Sequence, residues 1–198
     1  MKHIFHKENL DNPTFLLLHG TGGDERDLLP LAHMINPEYN VLSVRGEVIE
    51  NGMNRFFKRL AEGIFDEKDL VARTHQLKEF IDQAAIDYGF DRSQVVAIGY
   101  SNGANIAASM LFHYSSALSK AIILHPMVPI HVKLPDLTGI PVFIGAGRND
   151  PICLPNQSIE LEKLLSDANA NVVLHWENNG HRLVESEIQA AKEWLKHN

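Results

Sequence analysis

Short apolar runs alternate with segments of helical period along the 198-residue chain. Near-continuous Val, Ile, Leu and Phe suit strands buried on both faces, and such runs predict strands at residues 4–6, 15–18, 41–44, 95–99, 121–124, 142–144 and 172–176. Between them, Leu70, Thr74, Leu77, Ile81, Ala84 and Tyr88 recur on one helical face, with Asp66 placed to cap its start and Gly89 to end it. Leu161, Leu164, Leu165 and Ala168 outline a second helix with Pro155 in its first turn, and Val184, Ile188, Ala191 and Leu195 outline a last one. Pro30 would break a helix begun at Asp24 but is compatible with one begun near Asp27. The alternation predicts an α/β fold in one domain over residues 1–198: a mostly parallel central sheet, helices on both faces, and no large lid domain.

Residues 47–65 break the rhythm. Met53, Phe56, Phe57, Leu60, Ile64 and Phe65 crowd a connection between a strand and a helix. They predict an excursion with a short helix, which either overhangs a site or packs on the sheet edge.

Composition narrows the class. A net charge of -7 gives no electrostatic reason to expect a nucleic-acid partner. The single cysteine, Cys153, rules out a disulfide within the chain and fits a reducing compartment. No apolar run suits a signal peptide or a membrane span, so the cytoplasm is expected, with no membrane partner. The 11 histidines are scattered without zinc-ligand spacing, and no metal is expected.

Gly99-Tyr100-Ser101-Asn102-Gly103 matches G-x-S-x-G. The pentapeptide alone is weak, and its setting supplies the weight. The buried run Val95-Val96-Ala97-Ile98 precedes it, and a small-residue helix with Ala104, Ile106, Ala107, Ala108, Met110 and Leu111 follows it. A turn that tight strains the backbone of Ser101 and excludes side chains at both flanking glycines. A simple helix N-cap would account for Ser101 but not for both glycines.

A serine hydroxyl needs a base. Asp150 follows the predicted strand 142–144 through Gly145-Ala146-Gly147-Arg148-Asn149, and His181 follows the strand 172–176 through Glu177-Asn178-Asn179-Gly180. Both loops leave the carboxyl edge of the sheet, where catalytic groups collect. The order serine, acid, histidine is that of a triad on this fold. The rivals Asp136, Asp167 and His175 do not sit in such loops. The turn His19-Gly20-Thr21-Gly22-Gly23-Asp24 leaves an early strand and is expected to give a second oxyanion donor beside the N–H of Asn102, at Thr21 first and Gly22 next. His19 reads as structural. No phosphate-loop pattern is present. Phe56, Phe57, His125 and Met127 are expected to line the substrate pocket, with core packing as the other reading for the two phenylalanines.

The pieces L-L-L-H-G-T-G-G-D-E, G-Y-S-N-G, G-R-N-D-P-I and N-N-G-H resemble the phospholipase/carboxylesterase branch of the α/β-hydrolases, and more narrowly its small bacterial MhqD-like carboxylesterases. The resemblance implies Ser101 as nucleophile, Asp150 as acid, His181 as base, Thr21 and Asn102 as oxyanion donors, no cofactor, and a small-molecule ester as substrate. Acyl-protein thioesterases of that branch usually carry Gln where this chain has Asn102, and the related dienelactone hydrolases use Cys where it has Ser101. A thioesterase or lysophospholipase, and a non-catalytic small-molecule-binding protein on the same fold, are the alternatives. A homodimer stays open, because no residue marks a surface for it.

Overall fold

The structure is a computed structural model that describes residues 1–198. In chain order its strands are β1 (His3–His6), β2 (Thr14–Leu18), β3 (Asn40–Val44), β4 (Val48–Glu50), β5 (Met53–Arg55), β6 (Arg59–Ala61), β7 (Ile64–Phe65), β8 (Val95–Tyr100), β9 (Lys120–Leu124), β10 (Pro141–Gly147) and β11 (Asn171–Glu177). The helices are α1 (Leu29–Ile35), α2 (Glu67–Tyr88), α3 (Asn102–His113), α4 (Pro155–Asp167) and α5 (Glu185–Lys196). Seven strands form one sheet in the order β1-β3-β2-β8-β9-β10-β11. Only β1 runs antiparallel to its neighbour; every other pair is parallel.

Alternation along each strand divides the core. Leu16, Leu18, Ala97 and Ile123 face a layer built from α2, α3 and α4, whereas Phe15, Leu17, Val96, Ile98 and Ile122 face α1 and α5. The sheet is therefore covered on both sides, as its apolar strands require. The caps follow local chemistry. The Asp66 carboxylate accepts the N–H of Asp69 at the start of α2, and Gly89 closes that helix at φ +76°. α1 starts at Leu29, two residues beyond Asp27, with Pro30 in its first turn where no intrahelical N–H is needed.

Residues 47–65 hold no helix. They fold as two small hairpins, β4 with β5 and β6 with β7. Asn51 and Gly52 link β4 to β5 with φ of 52° and 78°, the left-handed geometry that a two-residue hairpin turn demands. An Asn-Gly pair is a strong hairpin signal, and it outweighs the helix that the crowded aromatics suggested. No helix is long and apolar enough to cross a membrane.

Candidate active site

Ser101 occupies the turn between β8 and α3 with φ 52° and ψ -111°, a conformation that L-residues avoid. Its N–H donates to the Leu124 carbonyl at 2.9 Å, which ties the turn to β9. A Cβ on Gly99 would lie 2.5 Å from the Gly103 carbonyl oxygen, and one on Gly103 would lie 1.9 Å from that of Leu18. Both glycines are therefore required by close backbone approach, as the sequence pattern implies.

The hydroxyl of Ser101 lies 2.9 Å from Nε2 of His181, and Nδ1 of His181 lies 2.7 Å from Oδ2 of Asp150. The carboxylate accepts a hydrogen bond from Nδ1–H, which keeps the proton on that nitrogen and leaves Nε2 free to accept from the serine. Asp150 is itself fixed. Its Oδ1 accepts the N–H groups of Ile152 at 2.8 Å and Cys153 at 2.9 Å. Burial pushes its carboxyl up, but the Cys153 N–H, His181 and the Ile152 N–H together outweigh burial and hold it below the ordinary carboxylate range. The Tyr100 hydroxyl donates to the carbonyl of His181 at 2.7 Å and steadies its loop. Asp136, Asp167 and His175 take no part. Asp136 caps a local turn, Asp167 pairs with Lys163, and His175 pairs with Glu177.

Thr21 and Asn102 both line the cavity at Ser101, and the backbone N–H groups of both are free. That of Asn102 heads α3 and has no carbonyl in a preceding turn to receive it. Between the two candidates in the early loop, Gly22 commits its N–H to the Asn54 carbonyl at 2.9 Å, while that of Thr21 has no partner in the protein. His19 is structural. Its Nε2 accepts the Gly46 N–H at 3.0 Å and its Nδ1 donates to the Gly20 carbonyl at 2.6 Å, while burial lowers its proton affinity.

A cavity of ≈ 60 Å³ opens beside Ser101, lined by Thr21, Arg55, Phe65, Asn102, Met127 and Cys153 among others. Met127 lines it. Phe56 and Phe57 do not: they are 1% and 0% exposed and belong to the core under α2 and α3. The hairpins turn these two rings inward and present Arg55, Arg59 and Phe65 to the cavity in their place. Residues 47–65 thus border the site through Phe65 and through Arg55, Arg59, Glu62 and Gly63, which apolar patterning does not mark. The Asn102 side chain joins the two regions by accepting the Phe56 N–H at 2.7 Å. Cys153 is buried, and its thiol is pushed up to about 12 by that burial and by the charge of Asp150, so it is no thiolate nucleophile.

His125 also departs from expectation. It is buried behind Asp150 rather than in the cavity wall, with Nδ1 at 2.9 Å from Asp150 Oδ2 and Nε2 at 3.4 Å from Glu187 Oε2. His125, Asp150 and His181 place ligand atoms within 4.8 Å of one another. A cation there would have to displace the contacts that already hold these groups.

A doubly covered, mostly parallel sheet with a serine in a strained strand-to-helix turn defines an α/β-hydrolase. The chain belongs to the phospholipase/carboxylesterase family of carboxylic ester hydrolases, whose sequence profile matches residues 1–198. It is similar to MhqD of Bacillus subtilis (strain 168), a protein named as a hydrolase, with 57% identity over 197 residues that cover 99% of this chain and 98% of that protein. The crystal structure of a Bacillus cereus carboxylesterase matches with a TM-score of 0.98 at 60% identity, over 100% of this chain and 94% of the other. YahD, solved with malic acid, matches with a TM-score of 0.95 at 33% identity, over 99% of this chain and 98% of the other.

Proposed function

We propose that the protein is a serine carboxylesterase for small to medium acyl esters. Ser101 Oγ attacks the ester carbonyl as His181 Nε2 takes its proton, and Asp150 holds the ring and stabilises its charge. The N–H groups of Thr21 and Asn102 receive the tetrahedral oxyanion, each typically worth about 3 kcal/mol to the transition state. His181 returns the proton to the departing alcohol, and water, deprotonated by the same ring, releases the acid from Ser101. The cycle draws on protein groups and water. The observation that carries this reading is the unbroken line from the Ser101 hydroxyl through His181 to Asp150, at 2.9 and 2.7 Å, next to two unengaged backbone donors.

The cavity supports short acyl groups, since ≈ 60 Å³ is the space of about four or five waters. In the test, Ser101→Ala removes p-nitrophenyl butyrate hydrolysis and labelling by a fluorophosphonate probe while far-ultraviolet circular dichroism stays unchanged. Full hydrolysis by that variant refutes the reading. Binding of esters by the wild type without turnover establishes the non-catalytic alternative, and faster cleavage of matched thioesters than of oxygen esters establishes a thioesterase.

A further inference from the structure

We propose that His125 is a positioning residue for the triad: a charged ring, held between Glu187 and Asp150, that fixes the Asp150 carboxylate and limits how strongly it draws protons onto His181. The proposal rests on the triad reading above. His125 follows β9 at φ +53°, a region that disfavours every residue but glycine, and its N–H donates to the Gly145 carbonyl at 2.7 Å. Its side chain is fully buried. Nδ1 meets the same Asp150 oxygen that His181 meets, at 2.9 Å against 2.7 Å. Nε2 faces the Glu187 carboxylate at 3.4 Å. A neutral imidazole has one N–H, and this ring has a carboxylate on each side, so only the imidazolium turns an N–H toward both, as a hydrogen bond to Asp150 and as a longer ion pair with Glu187.

Glu187, on α5, is fully buried, accepts no hydrogen bond and has His125 as its one ionic partner. Its place is shaped by Gly145, where a Cβ would lie 2.1 Å from Glu187 Oε1. Burial works against the charge on His125, but Glu187 and then Asp150 overcome it and raise its proton affinity. The other groups facing this ring are His181 at 5.2 Å and Tyr100 at 6.0 Å between ring centroids, with the charge of Glu177 farther off.

Removing this positive charge leaves two buried carboxylates beside His181. At about 5 Å and an effective dielectric of about 20 to 40, one unit charge moves the acid limb of hydrolysis by about 1.2 to 2.4 pH units. The pH dependence of kcat/KM for p-nitrophenyl butyrate tests this in wild type, His125→Gln and the double variant His125→Gln with Glu187→Gln. The single variant is expected to move the acid limb up by at least one unit. The double variant, which restores the net charge, is expected to bring it back toward wild type, and a purely structural role produces no such return. An acid limb unmoved in His125→Gln, or a loss of rate uniform across pH, overturns the proposal. Nitrogen-15 NMR of the wild-type imidazoles needs no variant: two protonated nitrogens on His125 at pH 7 support it, and a neutral ring overturns it. Wild-type protein that hydrolyses no ester sinks the triad reading itself.

A separate observation bears on the acyl group, again on the footing of ester hydrolysis. Arg55 is 4% exposed and lines the cavity beside Ser101. Its Nη1 donates to Thr21 Oγ1 at 2.7 Å, and its Nε donates to the Phe57 carbonyl at 3.3 Å and lies 3.5 Å from Glu50 Oε2. Nη2 has no protein partner among these contacts. Glu50 is shared with Arg59, whose Nε sits 2.6 Å from its other oxygen. Burial and the charge of Arg59 together weigh against the Arg55 cation more than Glu50 supports it. Glu62 lines the same cavity from an exposed position. We infer that Arg55 binds a carboxylate at the far end of a short acyl chain, the substrate being a half-ester of a small dicarboxylic acid.

Monoethyl succinate and its neutral isostere ethyl levulinate, followed by pH-stat titration, test the inference. Wild type is expected to favour the succinate ester at least tenfold in kcat/KM, and the ratio of the two rates is expected to fall toward one in Arg55→Met, whatever the variant's absolute rates. Equal wild-type rates on the two esters, or an equal fall on both in Arg55→Met, overturn it while leaving ester hydrolysis standing. If Arg55→Met does not fold, competitive inhibition of wild type decides: succinamate inhibiting more tightly than neutral succinamide supports the subsite, and equal or reversed inhibition overturns it.

Discussion

The strain at Ser101 is measurable, because two variants that lack its hydroxyl differ in little else. Ser101→Ala and Ser101→Gly both remove the hydroxyl and its 2.9 Å contact with His181, so that loss cancels between them. What differs is the cost of holding φ 52° and ψ -111°. A non-glycine residue in so sparse a region carries roughly 1–3 kcal/mol of strain. Glycine escapes it but loses about 0.4–1 kcal/mol through the greater freedom of its unfolded chain. The balance favours Ser101→Gly over Ser101→Ala by about 1 kcal/mol, or about 2–4 °C in Tm for a chain of this length. Thermal unfolding followed by circular dichroism, with urea unfolding beside it, reads the difference directly. A glycine variant equal to or less stable than the alanine variant refutes the assignment of strain to this turn.

Gly103→Ala is expected to lower stability by about 3 kcal/mol or more, since its Cβ would meet the Leu18 carbonyl oxygen at 1.9 Å; an unchanged Tm places the turn away from β2. Phe57→Ala is expected to cost about 3–5 kcal/mol as a core cavity while leaving acyl-chain preference alone. A stable variant with altered chain preference would return Phe57 to the pocket. Glu25 is buried against Arg45 and Lys2; burial raises its carboxyl, but a backbone hydrogen bond and these cations bring it down to about 2 from 4.5. A depressed folded value means the stabilisation is present above pH 4.5 and is lost as pH falls toward 2. Glu25→Gln should therefore flatten the fall in Tm over that window, and a profile parallel to wild type contradicts the linkage.

The sheet was legible because burial on both faces forces long apolar words. Residues 15–18 and 95–99 lie within β2 and β8 and differ from them by a residue at one end. The turn at Ser101 was legible because two glycines with different clashes flank it. Less could be read where elements are short. β4 to β7 span two or three residues each, too few for a period to emerge. Only Asn51-Gly52 marked the first hairpin, and it competed with an aromatic cluster that mimicked a helix. Facing direction decided the rest: Arg55 and Phe56 are adjacent in sequence, yet one lines the cavity and the other enters the core. His125 carried no local sign of its place, since its partners Asp150 and Glu187 come from β10's loop and from α5.

The two loops that bring Asp150 and His181 together are joined by backbone as much as by side chains. A Cβ on Gly147 would lie 2.2 Å from the Gly180 carbonyl oxygen, so the end of β10 and the loop after β11 touch only because that residue lacks one. Asn149 then accepts the Gly180 N–H at 2.9 Å, and Arg148 donates its N–H to the Glu177 carbonyl at 2.8 Å. These contacts hold the two loops together independently of the 2.7 Å contact between His181 and Asp150. Gly145 and Gly147 in Gly145-Ala146-Gly147 therefore have separate tasks: the first makes room for the Glu187 carboxylate, the second for the histidine loop. A short stretch of β10 thus sets the surroundings of Asp150 on two sides, which is why a loop position can hold a carboxylate as rigidly as the strained turn holds Ser101.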